Sequence, residues 1–205
     1  MNKIIKDALI LTAITLISGC LLGLVYEITK EPIKKAQYNA QQKAYRTVFE
    51  EADSFEDYDG FDPDKAAAVV AECGHPENTI EGVVAAKDAS GKSLGYVITL
   101  TSHAGYGGDI TFSMGVKNDG TLNGYSITSI GETAGLGMKA KEKKFSSQFS
   151  GKTAESYEVI KGTAASEDQI EAISGATITS KAMTYGVDAG LAYFRTIVEG
   201  GSADE

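Results

Sequence analysis

The chain opens with an unbroken run of uncharged positions. Residues 8–26 carry no charged side chain over 19 positions, about the length at which a helix crosses the hydrocarbon core of a bilayer. Asp7 and Glu27 bound the run. Residues 30–49 then read as a helix leaving that span, with Pro32 near its start, where proline is tolerated. Its apolar stripe is thin: Ile33, Ala36, Ala40, Ala44 and Val48. The pattern lapses over 50–64, which holds eight acidic side chains and no basic one and reads as a solvated acidic linker. From Ile80 to Ile130 the pattern turns β. Residues Gly82–Ala86, Leu94–Leu100, Ile110–Val116 and Tyr125–Thr128 read as strands, with turn signals at Asp88–Gly91 and Asn118–Gly120. Near the end, Met183, Val187, Leu191, Phe194 and Val198 recur at steps of three or four, which predicts a helix from about Lys181 to Val198. Ala182, Gly186 and Gly190 give this helix a small-residue seam suited to close packing on a sheet.

These elements predict an α+β chain: a single N-terminal transmembrane helix, then one β-rich domain with a closing C-terminal helix. The boundaries are 1–7 for an N-terminal flank, 8–26 for the span and 27–79 for a helical and acidic linker region. The domain takes 80–199, and 200–205 is a flexible tail. A faint internal repeat runs through the strands. Ala86-Lys87-Asp88 leads through Gly91 to Gly95-Tyr96-Val97-Ile98, and Val116-Lys117-Asn118-Asp119 leads through Gly120 to Gly124-Tyr125-Ser126-Ile127. Two equivalent hairpins account for it, as does the general likeness of glycine-turn hairpins.

Composition narrows the function classes. The 205 residues carry a net charge of −9, and residues 36–205, with 14 basic and 25 acidic side chains, carry −11. A surface this acidic argues against nucleic acid as a partner. The only cysteines are Cys20, inside the apolar span, and Cys73. With no C-x-x-C, neither an iron–sulfur cluster nor a c-type haem is encoded. The two histidines, His75 and His103, stand far apart and read as surface residues, so no metal site is expected. Ile17-Ser18-Gly19-Cys20 has the form of a lipidation box, but Leu21, Leu22, Leu24 and Val25 continue the apolar run beyond it. A retained membrane anchor fits that continuity better than a lipoprotein or a cleaved signal peptide. Lysines flank the span almost equally, so charge alone leaves its orientation open.

The densest chemistry is Ser174-Gly175-Ala176-Thr177-Ile178-Thr179-Ser180: four hydroxyls and one glycine at a helix entrance. Such a place offers free backbone N–H groups and the positive end of a helix dipole to an anion, most often a phosphate. Ordinary helix capping uses the same residue types. Two glycine-rich stretches interrupt the strands, at 103–109 (HAGYGGD) and 132–138 (ETAGLGM). Neither has the spacing and context of a dinucleotide fingerprint. Lys139, Lys141, Lys143 and Lys144 follow directly. They read either as a solvated helix face or as a patch that balances a phosphate or meets an acidic partner.

Ser174-Gly175-Ala176-Thr177 resembles the attachment motif of the FMN-binding domain family. That resemblance implies covalent FMN on Thr177 through a phosphoester bond. It makes Ser174, Gly175, Ala176, Thr179 and Ser180 supporting contacts. The family has an acidic residue three positions before the motif, usually Asp, and this chain has Glu171. Residues 132–137 resemble the family's E-T-P-G-L-G segment, with Ala134 in place of proline, and 105–108 resemble its G-Y-G-G segment. Glu132, Thr133, Leu136, Gly137, Tyr106 and Gly107 are therefore expected to help line the flavin pocket. Over its length the chain is similar to the G subunits of Rnf complexes, which move electrons between ferredoxin and NAD and translocate sodium ions or protons. The C subunits of sodium-translocating NADH:quinone oxidoreductases are close relatives. The resemblance implies a one-cofactor relay, with no complete active site on this chain. Its implied partners are the other membrane and redox subunits, a flavin transferase for maturation, and the lipid bilayer. It implies a plasma (inner) membrane location, with the N-terminus cytoplasmic and the flavin domain outside. Two other classes are a freestanding anchored flavin reductase and a non-redox anchored binding or scaffold protein.

Overall fold

The structure is a computed structural model that describes residues 3–201. Helix α1 runs Lys3–Val48 as one element with Pro32 inside it, so the expected apolar span and the following helix are continuous. Two compact units divide the chain near residue 40. In the first, the side chains of the apolar run are exposed. Helix α1 is the one helix, among the described residues, long and apolar enough to cross a membrane, with a mean hydropathy of 2.4 over its best window.

The second unit begins at Gln41 and is built on a five-stranded antiparallel meander in the order β1-β2-β3-β4-β5. The strands are β1 (Ser54–Asp57), β2 (Asn78–Lys87), β3 (Ser93–Ser102), β4 (Ile110–Lys117) and β5 (Leu122–Ile130). Helix α2 is Pro63–Glu72. A 3-10 turn at Gly137–Lys141 leads into the single turn α3 (Lys143–Ser146). The parallel pair β6 (Glu158–Ile160) and β7 (Gln169–Glu171) precedes α4 (Thr177–Gly201).

Period-two alternation sorts the strands into two faces. Ile98, Leu100, Phe112, Met114 and Val116 join the large core beneath α4, with Met183, Val187 and Leu191 from the helix. Val84, Ala86 and Val97 face the other way, onto Tyr45, Val48 and Phe49 from the end of α1. That second face is partly polar. Thr99 Oγ1 lies 2.9 Å from Ser113 Oγ, and Thr101 Oγ1 lies 2.9 Å from Thr111 Oγ1. The end of α1 is held there by Asn123, whose Nδ2 donates to the Val48 carbonyl at 2.9 Å.

The four expected strands are present, extended by a few residues at their ends. The two hairpins are equivalent in detail. Gly91 and Gly120 both sit at φ +83°, and Gly95 and Gly124 follow four residues later at φ +155° and +128°. Each later glycine lies beside a register shift, so the sequence repeat is a repeat of turn and bulge.

Residues 50–64 are a correction. They form no solvated linker: β1 pairs with β2, and the Phe55 ring packs on Tyr45 at 5.4 Å. The charges sit on exposed edges and caps. Asp62 Oδ1 accepts from the backbone N–H groups of Asp64 and Lys65, which starts α2 with Pro63 in its first turn. Helix α4 begins at Thr177, four residues before the expected start at Lys181, so the last four residues of the hydroxyl-rich run, 177–180, form its first turn. Of the expected tail, Gly200 and Gly201 belong to α4, and residues 202–205 lie outside the described residues.

His75 is also corrected, from surface residue to half-buried. Its ring stacks on Tyr185 at 4.5 Å, and its Nε2 lies 3.9 Å from Asp188 Oδ2. Asp188 is buried on α4, and its Oδ1 accepts from the Tyr157 N–H at 2.9 Å. Burial pushes the Asp188 carboxyl up from 3.8 to about 7, against smaller lowering by the Tyr157 N–H and the Arg195 charge. The folded chain therefore keeps a proton that the unfolded chain releases near pH 4, and stability falls as pH rises from about 4 to 7. Asp188→Asn keeps an oxygen for the Tyr157 N–H. The variant is expected to flatten that decline and to be more stable than wild type by on the order of 3 kcal/mol at pH 8. Urea titrations at pH 5 and pH 8 measure both.

Candidate functional site

The entrance to α4 is built by short-range bonding. Strand β7 ends at Glu171, and the Ala172 N–H donates to the Ile160 carbonyl at 2.9 Å. The chain then turns through Ser174 and Gly175. Gly175 lies at φ +79°, where a Cβ would be strained. The Ala176 N–H closes the turn on the Ile173 carbonyl at 2.9 Å. Ser180, fully buried, latches the loop from inside. Its hydroxyl donates to the Ala176 carbonyl and accepts the Ile173 N–H, each at 2.9 Å. Ser180 is thus used up in the scaffold and lies outside the cavity lining.

Thr177 opens the helix. The first-turn amides of Thr177, Ile178 and Thr179 have no helical carbonyl within reach, and no acidic side chain stands in that turn to offset the dipole. The Thr177 side chain is half-buried and makes no hydrogen bond among the described residues. A cavity of about 450 Å³ lies against it, lined by Tyr106, Glu132, Thr133, Leu136, Gly137 and the run Gly175–Thr179. Nine of the twelve expected site residues are therefore brought to one place. The other three sit elsewhere: Ser180 is the latch, Gly107 supports the loop behind Tyr106, and Ser174 lines a second cavity of about 400 Å³ on the other side of the turn.

The two glycine loops meet backbone to backbone. A Cβ on Gly107 would strike the Gly131 carbonyl, and one on Gly105 would strike the Gly108 carbonyl. Glu132 ties the loops together: its buried carboxylate accepts the Tyr106 N–H at 2.7 Å. Gly137 is small for the same reason. A Cβ there would stand 2.5 Å from Glu132 Oε2 and 2.7 Å from Thr179 Oγ1. The closeness of Gly137, Glu132 and Thr179 joins the loop of 132–138 to the first turn of α4.

Glu171 faces away from this cavity. Its Oε1 accepts the Ala164 N–H at 3.0 Å. Its backbone is clamped by Gln148, which accepts the Glu171 N–H at 2.7 Å and donates to the Glu171 carbonyl at 3.2 Å. Gln148 was not visible as a site residue in the sequence, because the clamp joins segments 23 residues apart. Ile178 was also missed. It lines the cavity as an exposed apolar side chain between two threonines, and that odd placement was a usable signal. None of Lys139, Lys141, Lys143 and Lys144 lines this cavity; Lys139 and Lys144 line the second one, with Ser174.

The donor set fits FMN. Helix-terminal amides and a free hydroxyl suit a phosphate or its ester. The apolar faces of Tyr106, Leu136 and Ile178 suit a flat aromatic ring, and the volume is in the range of cofactor sites. Gly137 and Gly175 leave room that side chains would otherwise fill.

Known proteins resemble this chain in the same parts. The family model for the FMN-binding domain matches residues 105–192, and that for the RnfG N-terminal region matches residues 1–48. The G subunit of the Na(+)-translocating ferredoxin:NAD(+) oxidoreductase complex of Acetobacterium woodii is 32% identical over 196 residues, covering 95% of this chain and 93% of that protein. The G subunit of the proton-translocating complex of Clostridium ljungdahlii is 33% identical over 186 residues, covering 91% and 89%. Among solved structures, Shewanella oneidensis NqrC shares the fold, with a TM-score of 0.50 and 23% identity over 60% of this chain and 61% of that one.

Proposed function

This chain belongs to the family of G subunits of ion-translocating ferredoxin:NAD(+) oxidoreductase complexes, and from that premise we propose that it is the membrane-anchored flavin relay of such a complex, with FMN bound covalently at Thr177. The observation that supports the attachment is the unengaged Thr177 hydroxyl, at an amide-lined helix entrance and on the wall of a cavity sized for the ring. FMN supplies the electron-accepting and electron-releasing chemistry, and the protein supplies its position. Glu132 holds the loop of Tyr106 in place, Thr179 and Gly137 shape the inner wall, and Ser180 fixes the turn that presents Thr177. A flavin transferase installs the cofactor, and the exposed turn at Ser174 and Gly175 leaves Thr177 approachable. The apolar part of α1 anchors the chain in the plasma membrane, with its N-terminus cytoplasmic and the flavin domain outside. The complex couples electron transfer to movement of sodium ions or protons.

Full-length protein made with an active flavin transferase and purified from membranes is expected to be yellow. Its band should fluoresce in a denaturing gel, since only a covalent flavin survives denaturation. A colourless preparation with a non-fluorescent band would contradict the proposal.

A further inference from the structure

In the unit from Gln41 onward, three large apolar side chains are strongly exposed among the described residues: Tyr106 at 73%, Ile178 at 52% and Leu136 at 42%. All three line the cavity beside Thr177. Scattered apolar exposure is ordinary, but convergence on one mouth marks a place that something covers: the flavin ring that these faces suit, and beyond it whatever approaches the flavin.

The charge beside that mouth is opposite to the rest of the chain. Residues 133–152 hold five lysines and a single acidic residue, Glu142, in a chain of net charge −9. Lys139, Lys141, Lys143 and Lys144 follow directly on Leu136 and Gly137 of the cavity wall. The segment that carries them is seated firmly. Ala140, Phe145 and Phe149 are buried beneath it, and the Tyr125 hydroxyl donates to the Ala140 carbonyl at 2.6 Å. Lys141, Lys143 and Lys144 are exposed, and none of the four has a carboxylate within ion-pair distance among the described residues. Lys139 and Lys144 border the second cavity, together with Glu142, Glu171, Gln148 and Ser174. Helix charges that serve only solubility are commonly interleaved with opposite charges. This arc is seated and net positive, four lysines to the one glutamate Glu142, and it follows directly in sequence on the wall of the apolar mouth.

We propose that the arc of Lys139, Lys141, Lys143 and Lys144, with the apolar rim of Tyr106, Leu136 and Ile178, is the docking face for an acidic surface on the redox protein that exchanges electrons with the flavin. The inference rests on the flavin reading above. An apolar centre with a charged rim is the arrangement that orients a partner by its field and excludes water at the contact. Contacts between redox proteins are small and transient, so charge complementarity has a large share in their rate. An anionic lipid surface would also meet lysines, but it would leave no role for an apolar mouth that belongs to the cavity.

The test uses the full chain within its complex, in membranes, with Lys141→Glu/Lys143→Glu/Lys144→Glu and with the corresponding Lys→Gln triple. These side chains lie outside the cavity wall, so in-gel flavin fluorescence is expected to equal wild type. After rapid mixing of the complex with reduced ferredoxin, the later step, electron transfer from the already reduced neighbouring subunit to the flavin of this subunit, is expected to slow about tenfold in the Glu variant at low salt. In the Gln variant it should slow by about threefold and lose most of its dependence on ionic strength. Wild-type rate and salt dependence in both variants would overturn the docking face. Lysine-dependent sedimentation with phosphatidylglycerol vesicles, together with unchanged reduction rates, would overturn it in favour of a lipid contact. A wild-type chain without fluorescence would overturn the flavin reading itself, and that is seen before any rate is taken.

Discussion

Thr177→Val is expected to abolish the proposed covalent attachment of flavin completely while the domain stays folded. Valine keeps the branched shape of threonine at the first position of α4. The lost hydroxyl makes no hydrogen bond among the described residues, so the stability change is expected to stay within about 0.5 kcal/mol. Electron transfer through the complex falls to background, because no other position of the run offers the same combination of exposure and freedom. Ser180 is buried and bonded on both sides, Thr179 is buried, and Ser174 stands on the far side of the turn. Ser174→Ala therefore keeps its flavin, and Thr177→Ser keeps part of it. In-gel fluorescence and thermal melts of the three variants check these outcomes together.

Gly186→Leu is expected to have the largest effect on stability. Gly186 lies on the face of α4 that meets the sheet, and a Cβ there would stand 2.8 Å from Phe112 Cζ and 3.0 Å from Leu100 Cδ1. Phe112 and Leu100 are both fully buried, so a full side chain has nowhere to go. Overpacking of this kind costs about 3 kcal/mol, which lowers the melting temperature of a unit this size by about 10 °C. Gly190 is the contrast. A Cβ there meets chiefly the thioether of Met114, a flexible neighbour that can turn aside. The helix gains about 1 kcal/mol from alanine over glycine, so Gly190→Ala is expected to be within about 1 kcal/mol of neutral. If both variants melt like wild type, the close seat of α4 on β3 and β4 is wrong. Because α4 carries Thr177 at its start, that seat also positions the site.

Most of this architecture could be read from residue patterns. Strands β2 to β5 alternate strongly enough to declare themselves, and their turns contain the glycines that positive φ demands. The seam of Ala182, Gly186 and Gly190 announced a helix pressed on a sheet. The site was legible because its residues are local in sequence: one run of seven and two glycine loops. What escaped depends on distant partners. Strand β1 was hidden by its acidic neighbours and shows itself only when Phe55 meets Tyr45. The Asp62-Pro63 start of α2 was a readable cap signal that the surrounding charge obscured. The clamp of Gln148 on Glu171 and the burial of Asp188 beside His75 arise from tertiary packing and leave no periodic trace. The polar alternation of β4, through Thr111 and Ser113, gave no hint that the end of α1 would cover that face.

The most direct measurement is the mass of the tryptic peptide of residues 162–181, taken from full-length protein made with and without an active flavin transferase. The account predicts a gain of one FMN less one water with the transferase, fragment ions that place it on Thr177, and no gain without it. An unmodified peptide in both samples, or a flavin placed on Ser174 or Thr179, would contradict it.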